Sequence, residues 1–314
     1  MPQKILIALG GNALLTSKEK GTAEQQLAHV HESCRHLVEI VKAGHSIAIT
    51  HGNGPQVGDI LLKNEMARDK FPPMPLDICG AETQGMIGYM IQRSMDNRLK
   101  SCGMNIPVVT VFTQALVDAG DPAFKNPTKP IGPYYTAEQA HLLQREQGWH
   151  VVEEPAKGYR RVVPSPEPRA IIEKNSIKKL FDDGAIVIAC GGGGVPVIQR
   201  KDGTLQGVEA VIDKDHTAAV FAKAIGADVL LILTAVDRVA LNYGRPDQKD
   251  LDKLSIEQTK KYLAQGQFPK GNMGPKIESA VRFVEGGGGR AIIASLSKAN
   301  DALDGRSGTT ILSS

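Results

Sequence analysis

"ILIALGGNALL", residues Ile5 to Leu15, sets an apolar run against two glycines and an asparagine. Ile5-Leu6-Ile7-Ala8-Leu9 has the aliphatic, β-branched character of a short strand. Gly10 and Gly11 then let the backbone itself come close to a ligand, with free N–H groups to offer it. A phosphate is the obvious guest. Yet no lysine follows the glycines, and no Gly-Lys dipeptide occurs anywhere in the chain, which excludes a Walker-type loop. Positive charge for this loop has to come from elsewhere.

Similar runs recur at Ser46–His51, Val108–Thr113, Ala185–Cys190, Val229–Thr234 and Ala291–Ser295, besides Lys4–Leu9. Helical patterns fall between them at Ala23–Lys42, Ala81–Lys100, Ala137–Gln147, Arg169–Asp182, His216–Ala224 and Pro275–Glu285. Such alternation predicts an α/β fold: a three-layer αβα sandwich whose mainly parallel central sheet is covered by helices on both faces. Ligands of such sheets sit beyond the carboxyl ends of the strands. Glycine-rich or polar turns follow four of the runs: Gly10-Gly11-Asn12, "THGNGPQVG" (Thr50–Gly58), "CGGGGVP" (Cys190–Pro196) and "LTAVDRV" (Leu233–Val239). Their repetition at equivalent ends predicts one site lined by backbone N–H groups.

Between Ala123 and Pro168 the pattern breaks. "AFKNPTKPIGPYY" and "GYRRVVPSPEP" are rich in proline, tyrosine and basic residues and flank a short helix. This stretch reads as an insertion protruding from the sheet, of the kind that forms lids. Lys129 lies in it between Pro127 and Pro130, which restrict where the lysine can reach. The chain then reads as one domain over residues 1–314. An N-terminal lobe over 1–184 carries the protruding subdomain (about 123–168), and a C-terminal lobe spans 185–314.

Composition narrows the function. The 314 residues are 41% hydrophobic and 23% charged, ordinary for a soluble globular protein. A net charge of +3 without a basic run, and 4% aromatic residues, do not suggest nucleic acid or a membrane surface. Cys34, Cys79, Cys102 and Cys190 form no CxxC, so neither a zinc framework nor a redox pair is signalled. His29, His31, Cys34 and His36 cluster on a predicted amphipathic helix without a matching partner set, and no metal site is expected there. No signal peptide and no apolar stretch near ~20 residues are visible, so the cytoplasm is the expected location.

Two further lysines stand out. Lys214 lies in "VIDKDHTAA" between Asp213 and Asp215, just before a small-residue helix. Lys276 lies in the first turn of a helix entered through Gly274-Pro275, where free N–H groups favour an anion. Lysines and backbone N–H groups are what phosphoryl transfer needs, because its catalysis is mostly positioning and charge stabilisation. A carboxylate such as Asp215 can hold two lysines in register.

Taken together, "ALGGNAL", "THGNGPQVG", "TQGMIGYM" (Thr83–Met90), "DPAFKNPTKPIGP", "YRRVVPSPEP", "GGGGVPV", "VEAVIDKD" and "NMGPK" resemble the carbamate kinases of the amino-acid kinase fold family. The motifs stand in the family's order and span essentially the whole chain. The "NPTKP" insertion and the "VIDKD" box separate these kinases from acetylglutamate and aspartate kinases. The resemblance implies the reaction ATP + carbamate ⇌ ADP + carbamoyl phosphate with Mg²⁺, run towards ATP in arginine degradation. Another acyl-phosphate-forming kinase of the same fold, or an idle nucleotide-binding regulator, is the alternative.

The resemblance also implies roles. Gly10, Gly11 and Asn12 should contact the transferred phosphoryl group. Gly52, Asn53 and Gly54 should lie on the carbamate side, with Gly191, Gly192, Gly193 and Gly194 between the substrates. Lys129 should reach the reacting oxygens from the subdomain. Lys214 and Lys276 should bind ATP phosphates, with Asp215 organising the lysines. Thr234, Ala235, Val236 and Tyr243, with Met273, Gly274 and Pro275, should form the nucleotide site. Mg²⁺ should be held by phosphates and water, with no protein metal ligand, and the protein should be a homodimer. The chain departs from the usual serine at Asn272 and at Thr83.

Overall fold

A computed structural model of the chain describes residues 1–11, 14–15, 19–269 and 271–313. The first half runs β1 (Lys4–Leu9), α1 (Ala23–Lys42), β2 (Ser46–His51), α2 (Gly54–Ala67), α3 (Leu76–Ser101), β3 (Val108–Thr110) and β4 (Gln114–Leu116). An excursion follows: β5 (Lys129–Tyr135), α4 (Ala137–Gln147), β6 (His150–Glu154) and β7 (Gly158–Val163). The chain re-enters the body through β8 (Ala170–Ile171), α5 (Lys174–Asp182), β9 (Ile186–Ile188), β10 (Val195–Gln199) and β11 (Leu205–Gly207). It ends with α6 (Lys214–Ile225), β12 (Val229–Thr234), β13 (Val239–Leu241), β14 (Lys249–Leu251), β15 (Lys253–Ser255), α7 (Ile256–Ala264), α8 (Met273–Glu285), β16 (Arg290–Ser295), α9 (Ala299–Leu303) and β17 (Thr309–Leu312).

Among the described residues the central sheet has eight strands in the order β15-β17-β16-β12-β1-β2-β9-β3. Only β16 and β17 pair antiparallel within it. β1 lies between β2 and β12, with Leu9 level with His51 on one side and Leu233 on the other. The run from Ile5 to Leu9 is wholly buried because helices cover both faces. Ile5, Ile7 and Leu9 join Leu37 and Val41 of α1 and Ile87 and Ile91 of α3. Leu6 and Ala8 join Phe221 of α6 and Ile277 and Ala280 of α8. The strand period of two thus sends alternate residues of one apolar run into two cores.

Helix starts are written in the sequence. Thr22 and Gln25 form a reciprocal capping box at α1, as do Thr136 and Gln139 at α4 and Ser255 and Gln258 at α7. The excursion forms its own antiparallel sheet, β5-β7-β6, with α4 packed on it. There the Arg161 guanidinium stacks 4.4 Å above the Trp149 ring.

The strands predicted at Lys4–Leu9, Ser46–His51 and Val229–Thr234 and the helices at Ala23–Lys42 and Ala137–Gln147 have the bounds read from the sequence. Elsewhere the bounds differ. The run at Val108–Thr113 leaves the sheet after Thr110, because the Gln84 side chain takes both the N–H and the C=O of Thr113. The helix expected from Arg169 begins at Lys174, and Ala170–Ile171 pairs with β4 instead. Helix α2 occupies what reads as a glycine-proline turn. Its Pro55 stands in the first turn, where a missing N–H costs nothing.

Candidate active site

The ends of β1, β2 and β12 are joined by backbone bonds just beyond the sheet. Gly10 N donates to Leu233 O at 3.1 Å, and Gly52 N to Leu9 O at 3.2 Å. A Cβ on Gly10 would lie 2.8 Å from Leu233 O, so close approach requires glycine there. A Cβ on Gly11 would meet nothing within 4 Å and would stand in open space. A Cβ on Gly52 would lie 3.4 Å from Lys214 Cδ and 3.9 Å from Gly11 N, which shows how closely these three residues converge. Asn12 lies outside the described residues.

The glycine run after β9 is built for contact. Gly192, Gly193 and Gly194 have φ of 65°, 93° and 86°, the left-handed region. Added Cβ atoms would strike the Asn53 side chain at 2.3 Å from Gly192, Ile212 O at 2.5 Å from Gly193, and Ala115 Cβ at 2.9 Å from Gly194. Cys190, ahead of them, is itself left-handed (φ 56°) and is held by Thr113 Oγ1 at its N–H and Thr50 Oγ1 at its C=O. Asn53 is buried and donates to Thr83 Oγ1 at 2.8 Å. Asn53, Gly191, Gly192 and Gly194 surround a cavity of only about 20 Å³. Gly54 opens α2 beside them with its own Cβ direction free.

Charge arrives from three elements. Asp213 caps α6 by accepting from Asp215 N at 2.9 Å. That cap places Lys214 and Asp215 in the first turn. Asp215 Oδ1 accepts from Lys214 Nζ, and Asp215 Oδ2 from Lys276 Nζ at 3.0 Å. Lys276 also donates to Asn272 O at 3.3 Å, and the Ser279 hydroxyl donates to Asp215 O. Burial opposes charge on Asp215, but the two ammoniums outweigh it and hold the carboxyl below its usual range. Lys129 Nζ, from the start of β5, donates to Asp213 Oδ2 at 2.8 Å. Burial is likewise outweighed at Asp213, chiefly by Lys129, and its carboxyl is held down to about 2. The three sequence-predicted lysines therefore meet around two aspartates. Asp215 holds two of them, and Asp213, unassigned from sequence, holds the third.

A cavity of about 380 Å³ opens from this charged end. Gly10, Gly11, Lys214 and Lys276 line one part of it, and Thr234, Ala235, Val236, Tyr243 and Met273 line the rest. Gly274 and Pro275 do not line it. They form the first turn of α8, where Gly274 N donates to Pro269 O at 2.9 Å. Arg238, from the turn Leu233–Val239 read as site-lining, lines it too, whereas sequence reasoning missed Gln267 and Phe268. Their stretch carries no recognisable spacing.

It missed His51 as well. The ring is fully buried at the end of β2, with Nδ1 3.0 Å from Gly52 O. A Cβ on Gly191 would lie 2.5 Å from its Cε1 and Nε2. Burial pushes this imidazole down to about 4 and keeps it neutral beside Lys214. Its signal was the histidine at the strand end in "THGNG".

Among the described residues no group of three His, Cys, Asp or Glu side chains could hold a metal ion. His29 pairs with Glu19 and His36 with Glu32, while Cys34 is buried in the core. Asp213 and Asp215 are both paired with lysines.

The model of the amino acid kinase family matches residues 3–295. The carbamate kinase of Pyrococcus furiosus is 49% identical over 314 residues, spanning 99% of this chain and 100% of that protein. The carbamate kinase of Clostridium perfringens is 48% identical over 313 residues, spanning 98% and 99%. Among solved structures, carbamate kinase from Giardia lamblia bound to AMP-PNP superposes with a TM-score of 0.94 at 43% identity, covering 99% of this chain and 98% of that one.

Proposed function

This chain belongs to the amino acid kinase family and, within it, to the carbamate kinases, and on that premise we propose how its residues carry the reaction. The reaction is ATP + carbamate ⇌ ADP + carbamoyl phosphate. In the forward direction a carbamate oxygen bonds to the γ-phosphorus as its bond to the β-bridging oxygen breaks. The attacking oxygen is already ionised, so no general base is needed. Both site aspartates agree with this, since their lowered pKa and lysine partners suit charge organisation rather than proton transfer.

The observation that carries the reading is Asp215 gripping Lys214 and Lys276 at the mouth of a cavity that Gly10 and Gly11 also line. Gly11, with Asn12, offers N–H donors to the transferred group, while Gly10, whose own N–H is held by Leu233 O, brings the backbone close to it. Lys214 and Lys276 neutralise the nucleotide phosphates. Lys129 exchanges Asp213 for the reacting phosphoryl oxygens when substrate is present. Adenosine occupies the part of the cavity lined by Val236, Tyr243 and Met273, with Gly274 and Pro275 setting the helix turn beside the phosphates. Mg²⁺ travels with the nucleotide.

Carbamate occupies the side formed by Gly52, Asn53, Gly54 and the Gly191–Gly194 run. The tight packing of Gly192 against Asn53, beside a cavity of about 20 Å³, supports a small acceptor rather than a large carboxylic acid. On this reading residues 1–184 are the carbamate lobe and 185–314 the nucleotide lobe of one domain, with the 123–168 excursion as lid.

Chemistry favours the ATP-forming direction. Carbamoyl phosphate is a mixed anhydride, and the released carbamate breaks down to ammonia and carbon dioxide. We assign the protein to arginine catabolism in the cytoplasm. Among the described residues no helix is long and apolar enough to cross a membrane. The reading includes a homodimer, supported by β3 as an edge strand of the central sheet and by exposed Tyr89 on α3, which packs on β3, and Phe112 just after β3. The test is coupled ATP formation from ADP with carbamoyl phosphate and, separately, acetyl phosphate. Turnover with the first and not the second is expected. Equal turnover with both would return the protein to the broader acyl-phosphate kinases.

A further inference from the structure

His216 lies one residue beyond Asp215 on α6 and does not line the nucleotide cavity. Its side chain is 14% exposed and lies between two carboxylates. Nδ1 is 3.1 Å from Glu167 Oε1, and Nε2 is 3.2 Å from Glu278 Oε2. Glu167 belongs to the strap by which the chain returns from the small sheet. Its N–H donates to Asp121 Oδ2 at 3.0 Å, on the outgoing strap, and its carboxylate accepts from Arg282. Glu278 and Arg282 are both on α8.

One imidazole therefore ties together three pieces of the molecule. The root of the small sheet leads to Lys129, α6 carries Lys214, and α8 carries Lys276. A carboxylate offers only lone pairs, so a ring between two of them is satisfied at both nitrogens only as imidazolium. We propose that His216, in its protonated form, is a positioning residue that clamps the carriers of the three lysines in register, and that loss of its proton loosens the clamp. Turnover then depends on pH through a group that never touches substrate. The proposal rests on the carbamate kinase reading.

The groups facing the ring support this sense. Burial disfavours the charged form, and Arg282 on α8 opposes it too. Glu167 from the strap and Asp213 from the start of α6 outweigh them and raise the imidazole above its ordinary value of 6.5. In turn the His216 hydrogen bond, with Arg282, holds Glu167 down to about 2. The clamp is complete below pH 6.5 and is lost as pH rises through the raised value.

The test is the pH profile of kcat for ATP formation in the parent, His216→Gln and His216→Arg. A glutamine is uncharged and has donors on one atom only, with an acceptor oxygen at the other, so His216→Gln is expected to lower kcat roughly tenfold at pH 6.5. It should also lose the alkaline decline, with KM for ADP changed far less than kcat. His216→Arg, which keeps the charge, should hold its activity to higher pH than the parent. If His216→Gln fails to fold, Glu278→Gln removes one facing carboxylate and should move the decline to lower pH. A variant profile superimposable on the parent's would overturn the clamp. Absence of parent turnover on carbamoyl phosphate would instead overturn the reading beneath it.

Discussion

Asp215 Oδ2 and Lys276 Nζ are 3.0 Å apart although 61 positions separate them in the chain. Their contact sets the first turn of α6 against the first turn of α8, so two helix N-termini and two lysines converge on one buried carboxylate. Replacing Asp215 by asparagine leaves two nearly buried ammoniums without a counter-charge. Breaking a buried pair in this way costs about 3 kcal/mol or more. Asp215→Asn is expected to melt well below the parent without nucleotide. Because polyphosphate supplies the missing negative charge, ADP should raise its Tm by more than it raises the parent's. Equal Tm values without ligand would contradict the pairing.

Gly10 and Gly11 make opposite predictions. A Cβ on Gly10 meets Leu233 O at 2.8 Å, whereas one on Gly11 meets nothing within 4 Å. Gly10→Ala should therefore lose about 1–3 kcal/mol of stability in denaturant unfolding. Gly11→Val should keep its stability and its affinity for adenosine while losing turnover, because its bulk occupies the place of the phosphoryl group. Normal turnover in Gly11→Val would make the loop only a turn.

Gly192 separates the two substrates kinetically. Its φ is 65°, and an added Cβ would lie 2.3 Å from Asn53 Nδ2, which leaves no room for a side chain. Gly192→Ala should displace Asn53 and raise KM for carbamoyl phosphate by at least roughly tenfold, with little change in KM for ADP. The reverse split would move the carbamate side elsewhere.

His51 makes the fold sensitive to acid. Its folded value of about 4 lies below the ordinary 6.5, so the unfolded chain takes up the proton first. Stability is full above pH 6.5 and drains as pH falls towards 4, by about 3 kcal/mol at ~1.4 kcal/mol per unit. In His51→Gln the slope of Tm against pH in that window should flatten. An unchanged slope would assign the acid sensitivity to another group.

Much of this was legible in sequence because the central strands are wholly buried. Lys4–Leu9 and Val229–Thr234 are largely apolar runs followed by turn residues, and their limits are those of the strands. Lys276 was legible because Gly274-Pro275 marks a helix start, Lys214 because two aspartates flank it, and Lys129 because prolines restrict it. The turn signals misled at Gly54-Pro55, where the same residues begin α2. Gln84 shortened a strand through a contact 29 residues away, which no local pattern carries. Asp213 was read as a neighbour of Lys214. Its bond to Lys129 spans 84 positions and depends on the excursion folding back over α6.

The central claim is that Lys129, Lys214 and Lys276 act together on one transferred phosphoryl group. It is tested most directly by ATP formation from ADP and carbamoyl phosphate in the parent, Lys129→Ala and Lys276→Ala. Lys129 is the sharper case, since its side chain is 36% exposed and its removal should cost less stability than removal of the nearly buried Lys276. The account predicts a turnover loss of at least roughly 100-fold in each variant, with Lys129→Ala still binding ADP. Parent-like turnover in either variant would contradict it.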